Sequence, residues 1–424
     1  MAESGEPTRR GSTHDDASPL PTAAPMATAR RRFISATIID SIGSGLWMPF
    51  ALLFLVHAQH LSLVDAGSAL SIGGFVGLCF MPFVGSAIDR LGVIPMIVAS
   101  NVMRLIAFCC YPWVSELWQV SVVSAVVAVG DRLFWTVNTP MVKALTTGRE
   151  SENMLASQTI ARYVGAGVGS GALALLPANA GAGIYHLLAY VNAASYAVAG
   201  VMIFGVGTMA VAYEVRGSGA RAPRGRWLAM LRERAYVGLC ATNILFTLAS
   251  NSKYLILAVL VADVLHGPLW VPGIAVVVGT VVIVVGQQPI TRFFSYRDRT
   301  MALAVAGLLY AGAFASLTFL TDLPGRFAVV LVLVYSAVVS VAEAIFAPIT
   351  TAAAADRAPA GMRGRASTMF QLSWGISGVI APSLLAGLLS VSNAVLWLVL
   401  SALCLVAVVA VALLREVLSE PPGR

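Results

Sequence analysis

Charge is what this sequence has least of. Only 11% of its 424 residues are Asp, Glu, Lys or Arg, against roughly 25% in soluble domains. A shortage of that size excludes a water-solvated enzyme or binding module, and equally a disordered chain, which is rich in charge and poor in apolar residues. Cysteine is scarce as well. Cys79, Cys109, Cys110, Cys240 and Cys404 all lie in apolar segments, are odd in number and lack metal-ligand spacing, so they read as small hydrophobes rather than a disulfide framework. Lysine is nearly absent, with Lys143 and Lys253 alone among 27 basic residues. Also missing are a glycine-rich phosphate loop, a nucleophile elbow and a paired Asp-rich prenyl-diphosphate motif. These absences exclude an ATP motor and leave a membrane-embedded enzyme without a recognisable nucleophile. No metal and no cofactor are expected.

What is present is apolar surface. Hydrophobic residues make up 58% of the chain, and the mean hydropathy is +0.83. Twelve segments reach the ~20 residues that span a bilayer: 33–58, 64–87, 93–114, 117–146, 153–177, 184–212, 235–263, 269–294, 300–321, 326–354, 363–389 and 392–415. The fold class expected is therefore an all-α integral membrane protein, with 12 transmembrane helices in two pseudo-symmetric six-helix bundles, 33–212 and 235–415. Residues 1–32, polar and ending in Arg30-Arg31-Arg32, read as a disordered cytoplasmic tail rather than a signal peptide. Segment 213–234 reads as a basic cytoplasmic linker and 416–424 as a second short tail. With the termini inside, all of the 27 basic residues except Arg326, Arg104, Arg132 and Lys253 fall on the cytoplasmic side, Arg162 included. That asymmetry sets the expected topology, a multi-pass protein of the cell membrane with both termini cytoplasmic. The net charge of +7 belongs to these loops, so no nucleic-acid partner is expected.

The two halves carry matching punctuation about 208 residues apart. Pro140 corresponds to Pro348, and Asp89-Arg90 to Asp298-Arg299. Glycines in the fifth segment (Gly165, Gly167, Gly169, Gly171) correspond to Gly375, Gly378 and Pro382 in the eleventh. Parallel six-helix repeats of this kind resemble the major facilitator superfamily, in which substrate sits between the halves at mid-membrane. The run Gly85-Ser86-Ala87-Ile88-Asp89-Arg90-Leu91-Gly92 is similar to that family's G-x-x-x-D-R-x-G loop, although Val93 and Ile94 replace its usual basic residues. The resemblance implies a cytoplasmic latch formed by Gly85, Asp89, Arg90 and Gly92, with Arg363 or Arg365 as partners. The glycine-rich fifth segment resembles the motif of the drug:proton antiporter group, without its usual proline. Glu343 with Pro348 points to the same branch. Physically, glycines four residues apart also let a neighbouring helix approach closely, and packing alone explains them equally well.

Six ionisable residues lie deep in apolar segments: Asp40, Arg104, Asp131, Arg132, Lys253 and Glu343. A charge there costs roughly 2.5–3.5 kcal/mol on insertion scales, so each is a functional-site candidate by default. Asp40, Asp131 and Glu343, in that order, are the proton-coupling candidates. Arg104, Arg132 and Lys253 are their candidate charge partners, and Arg104 reads as a structural ion pair or a side chain snorkelling to the cytoplasm. Arg132 points ~100° away from its neighbour Asp131, which favours an acid on another helix. Helical spacing groups Asp40 with Ser44 and Trp47, and Asp131 with Trp135 and Asn138. Those residues, with Asn251, Tyr254, Phe346, Gln371 and Trp374, are the substrate-cavity candidates, each with packing as its alternative. An aromatic ring beside a carboxylate suits lipophilic or cationic solutes.

Together these observations imply a monomeric secondary active transporter working by alternating access. The expected activity is efflux of hydrophobic or cationic small molecules, drugs or secondary metabolites, by antiport against protons, as in multidrug resistance. The competing reading is a proton-coupled symporter or facilitator for small-solute uptake. The partners expected are a small-molecule substrate, protons and the lipid bilayer.

Overall fold

The computed structural model describes residues 23–146, 149–173, 182–210, 232–295, 297–358 and 363–415. Among these there is no strand; twelve long helices account for the fold. They are α1 (Ala23–Trp47, continued by Ala51–His57), α2 (Leu63–Leu91), α3 (Val93–Cys110), α4 (Leu117–Leu145), α5 (Arg149–Ala172) and α6 (Ala182–Ala210). The second six are α7 (Arg234–Leu255, continued by Leu257–Val264), α8 (Trp270–Ser295), α9 (Arg299–Leu317), α10 (Gly325–Asp356), α11 (Arg363–Val391) and α12 (Asn393–Leu413). Ten are long and apolar enough to cross a membrane, and α7 with its continuation, bent by 42°, makes an eleventh. The remaining helix, α5, is too polar to qualify by composition, with Arg, Glu, Asn, Gln, Ser and Gly along its length. It spans the bundle because its polar side chains meet partners on α1 and α4.

The sequence marks most of these ends. Ser62, Asp298 and Ser392 accept backbone N–H bonds at the starts of α2, α9 and α12, and a Glu116/Gln119 capping box opens α4. Gly92 turns the chain from α2 into α3 at φ 85°, a conformation that suits glycine and accounts for the last position of the loop motif. The first helix starts ten residues before the expected 33, because Ala23, Ala24, Met26 and Ala27 are strong helix formers. Arg30 then anchors the extension, with Nη1 donating to Glu150 at 2.7 Å and Nε to the Leu145 carbonyl at 2.8 Å. The rest of the expected tail, residues 1–22, lies outside the described residues, as do the tail 416–424 and the linker apart from 232–234.

Packing follows the repeat. In the first half α1 packs on α5 and α6, α2 on α4, and α3 on α4 and α6; in the second, α7 packs on α11 and α12, α8 on α10, and α9 on α10 and α12. Each pair maps onto its counterpart six helices later. His60 and His266, the non-glycine residues with positive φ among those described, occupy equivalent turns of the two halves. The halves meet along two seams, α2 with α11 and α5 with α8. On the face away from the termini, Gly67 abuts Pro382 and Ala386, Ser71 Oγ accepts from the Ser383 N–H at 3.0 Å, and Gly273 abuts Ser170. His57 Nε2 lies 3.1 Å from Asp263 Oδ1 at the tips of α1 and α7 on that face. Midway, Gly375 abuts Leu78 and Gly167 abuts Thr280.

The glycines of α5 divide by face. Gly165 and Gly169 press on the α1 backbone at Ile38 and Ile42, while Gly167 and Gly171 meet Thr280 and Val277 of α8. Small residues therefore wedge α5 between its own half and the other. At Gly169 any Cβ would collide with the Ile42 carbonyl oxygen. Gly169→Ala is expected to destabilise the protein by about 1–3 kcal/mol, the usual effect of overpacking. Thermal unfolding in detergent measures it, and an unchanged midpoint would contradict this packing.

Candidate functional site

In the first half, Arg104 of α3 gathers both acids. Its Nη1 lies 3.3 Å from Asp40 Oδ1 on α1 and 3.5 Å from Asp131 Oδ1 on α4. Nη2 donates to Asn101 Oδ1 at 3.1 Å. The guanidinium carbon stands 4.3 Å from the Tyr196 ring centre and 5.0 Å from that of Phe134. Tyr196 OH in turn lies 3.3 Å from Ser44 Oγ. Burial separates the two acids: the Asp40 side chain is 6% exposed, that of Asp131 46%. Of the two roles open to Arg104, the structure has the ion pair.

The second half uses a simpler pair. Lys253 of α7, fully buried, donates from Nζ to Ser340 Oγ at 2.9 Å and to Glu343 Oε2 at 3.2 Å, both on α10. The ammonium sits 4.7 Å above the Tyr254 ring centre. Asp40 and Lys253 stand 213 residues apart, Asp131 and Glu343 212. Both networks thus occupy the same two helices of the repeat, the first and fourth of each half. In the first half two acids share a third helix's arginine; in the second a base and an acid meet directly.

Several candidates are placed elsewhere than a cavity wall. Trp47 packs at 5.0 Å from both Phe54 and Phe108 and 5.1 Å from Tyr111, because this face of α1 looks onto α3 within its own half. Asn138 is buried and exchanges two hydrogen bonds with Gln158 of α5, at 2.6 and 2.9 Å. Phe346 is fully buried between Phe246 and Trp374, with ring centres 5.3 and 6.0 Å away. Asn251 donates to Ser377 Oγ of α11 at 3.2 Å. Trp135 and Gln371 are exposed, and Ser44, Tyr254 and Trp374 are half-buried. Of the loop motif, Arg90 is exposed, while the side chains of Gly85, Asp89, Arg363 and Arg365 lie outside the described residues. Its repeat copy is engaged within one half: Asp298 caps α9, and Arg299 Nη2 donates to Asp356 Oδ2 at 2.6 Å.

Arg162 and Tyr163 were missed from sequence. Counted from the start of α5 at Arg149, Arg162 lies ~20 Å along the helix at 1.5 Å per residue, not at the cytoplasmic surface. Its guanidinium carbon stacks 4.3 Å from the Trp135 ring centre and 4.8 Å from that of Phe134. Tyr163 stands within electrostatic range of Glu343, Tyr254 and Lys253. Adjacent residues of one helix therefore address the two charge networks. The expected span 153–177 put Arg162 near its cytoplasmic end, and the earlier start of α5 at Arg149 carries both residues deeper.

A family model described as Major Facilitator Superfamily matches residues 33–382. No curated protein matches the chain. Among solved structures, a mutant of the nucleoside transporter NupG superposes with a TM-score of 0.76 at 14% identity, covering 91% of this chain and 99% of that one. A POT family transporter in complex with a thioalcohol-conjugated peptide gives 0.72 at 11% identity, covering 92% and 96%. Another POT family structure, in complex with 5-aminolevulinic acid, gives 0.70 at 10% identity, covering 92% and 96%.

Proposed function

Because the chain belongs to the major facilitator superfamily, we propose that it is a proton-coupled secondary transporter that moves a small solute out of the cell by alternating access. The observation that carries this reading is the pair of buried charge networks at equivalent places of the repeat, Asp40–Arg104–Asp131 and Lys253–Glu343. Ionisable residues that pair inside a helical bundle mark substrate pathways and proton relays in transporters. The basic residues of the loops support an orientation with both termini in the cytoplasm of a cell-membrane protein. The seams packed on the opposite face, with His57 on Asp263, support a state closed on that side, the outside in this orientation. Export rests on the glycine-rich α5 and on Glu343 with Pro348 in α10, the features shared with the antiporter branch.

Substrate character follows from which acids are free. A cationic solute bound through a carboxylate would have to displace a base, since Arg104 holds both Asp40 and Asp131, and Lys253 holds Glu343. The geometry gives a cation no ready partner.

Proteoliposomes loaded with a pH-sensitive dye test the coupling. A recognised solute is expected to drive proton movement, and an imposed pH gradient to drive its accumulation. Solute flux indifferent to the gradient would favour a facilitator instead.

A further inference from the structure

The site's chemistry can be taken one step further, on the transporter reading just given. We propose that the solute is an organic monoanion, a carboxylate or sulfonate with a flat unsaturated body, held by Arg162 and Arg132 on either side of Trp135.

Charge counting comes first. The first-half network contains Arg104, Arg132 and Arg162 against Asp40 and Asp131. Arg104 takes up both acids, at 3.3 and 3.5 Å. Among the described residues no carboxylate lies within 4 Å of either Arg132 or Arg162. The second half adds nothing, since Lys253 and Glu343 neutralise each other at 3.2 Å. With every group ionised, one positive charge is left over.

Unfilled hydrogen bonding points to the same place. Nη2 of Arg162 and Nε of Arg132 are buried and have no hydrogen-bond partner. A buried donor left unmade is costly, more so when charged. One of these arginines, Arg162, lies on the Trp135 ring, and the other, Arg132, stands three residues before Trp135 on α4. Arginine presents a planar fork that matches carboxylate and sulfonate oxygens, and a surplus of one charge selects a monoanion over a dianion.

Helix geometry sets the direction. Taking Asp131 as reference, Phe134, Trp135 and Arg132 fall at about −60°, +40° and +100° around α4. Phe134 looks toward Arg104 on α3. Arg132 looks toward the other half, where its two terminal nitrogens stand close by Gly375 of α11. Trp135 lies between these directions and is 57% exposed, so its ring faces the space between the halves. Arg162 covers part of that ring from α5. A flat anion can therefore rest on the exposed indole while its charged end reaches the two guanidiniums.

Benzoate, its neutral isostere benzamide and its cationic counterpart benzylammonium test the assignment by calorimetry and thermal shift on the purified protein. Benzoate is expected to bind saturably and raise the unfolding midpoint, while benzamide and benzylammonium do not. Arg162→Gln should weaken benzoate at least about thirtyfold, the loss expected when one partner of a buried charged pair is removed. Arg162→Lys, which keeps the charge, should recover part of it and shows that the fold survives. Benzylammonium binding equal to benzoate overturns the anion assignment, as does undiminished benzoate binding in Arg162→Gln. No benzoate binding up to about 10 mM also overturns it. If proteoliposomes still move solute and protons in any of these cases, the transporter reading stands and only the substrate class falls.

Discussion

Arg104→Gln is expected to lose about 3–5 kcal/mol of stability, the range seen when one partner of a buried ion pair is removed. The side chain is 4% exposed and faces Asp40 at 3.3 Å and Asp131 at 3.5 Å. Without the guanidinium, two carboxylates confront each other across α1 and α4 with no countercharge within salt-bridge distance. The Tyr196 ring, 4.3 Å from its carbon, loses its cation as well, while Phe134 keeps that of Arg162 at 4.8 Å. Thermal unfolding in detergent should show a strongly lowered midpoint. The double variant Asp40→Asn/Arg104→Gln should recover part of the loss, because the most buried unpaired charge is then gone. A midpoint close to wild type in Arg104→Gln would mean that the arginine does not hold these helices together.

The helical architecture was legible because the bilayer writes spans as long apolar runs, and most of the charges were legible because each interrupts such a run. Partners were harder. Spacing on one helix gives the face of Asp40, Ser44 and Trp47, but not which neighbour that face meets. It meets α3 and α6, so Trp47 is packing against Phe108 and Tyr111 rather than a cavity wall. Asn138 faces as expected, but Gln158 of α5 takes both ends of its amide. Arg162 was misplaced for a different reason: it falls nine residues into the span expected at 153–177 and reads from there as near its cytoplasmic end, whereas α5 begins four residues earlier, at Arg149. One signal in the sequence could have done more. Applying the repeat offset to the intramembrane charges brings Asp40 onto Lys253 and Asp131 onto Glu343 within five residues of 208, which marks the first and fourth helices of each half as the charged ones.

We propose Asp131 as the proton carrier, on the ground of access. A carrier must exchange with water on each side in turn and must change partners as it does so. Asp40, with its side chain 6% exposed beneath Arg104, has the stronger claim to a fixed structural pair. Glu343 is 10% exposed and bound to Lys253. Asp131 is 46% exposed and at the longer distance, 3.5 Å, from the same arginine. In this reading, taking a proton releases Arg104 wholly to Asp40, and losing it on the cytoplasmic side lets Asp131 recapture a share. On this ground we put Asp131 ahead of Asp40, which helix position and the neighbouring Arg132 had placed first. One proton per cycle across one pH unit sustains about a tenfold solute gradient. Asp131→Asn should bring that ratio to about one while downhill exchange of the same solute continues, since a neutral side chain holds Arg104 on Asp40 throughout the cycle. Asp131→Glu, which restores a titratable group, should return part of the gradient. Asp40→Asn, by contrast, should lower the unfolding midpoint and keep the gradient. Accumulation at the wild-type ratio in Asp131→Asn proteoliposomes would exclude Asp131, and the same assay on Asp40→Asn and Glu343→Gln would then decide between the two remaining acids.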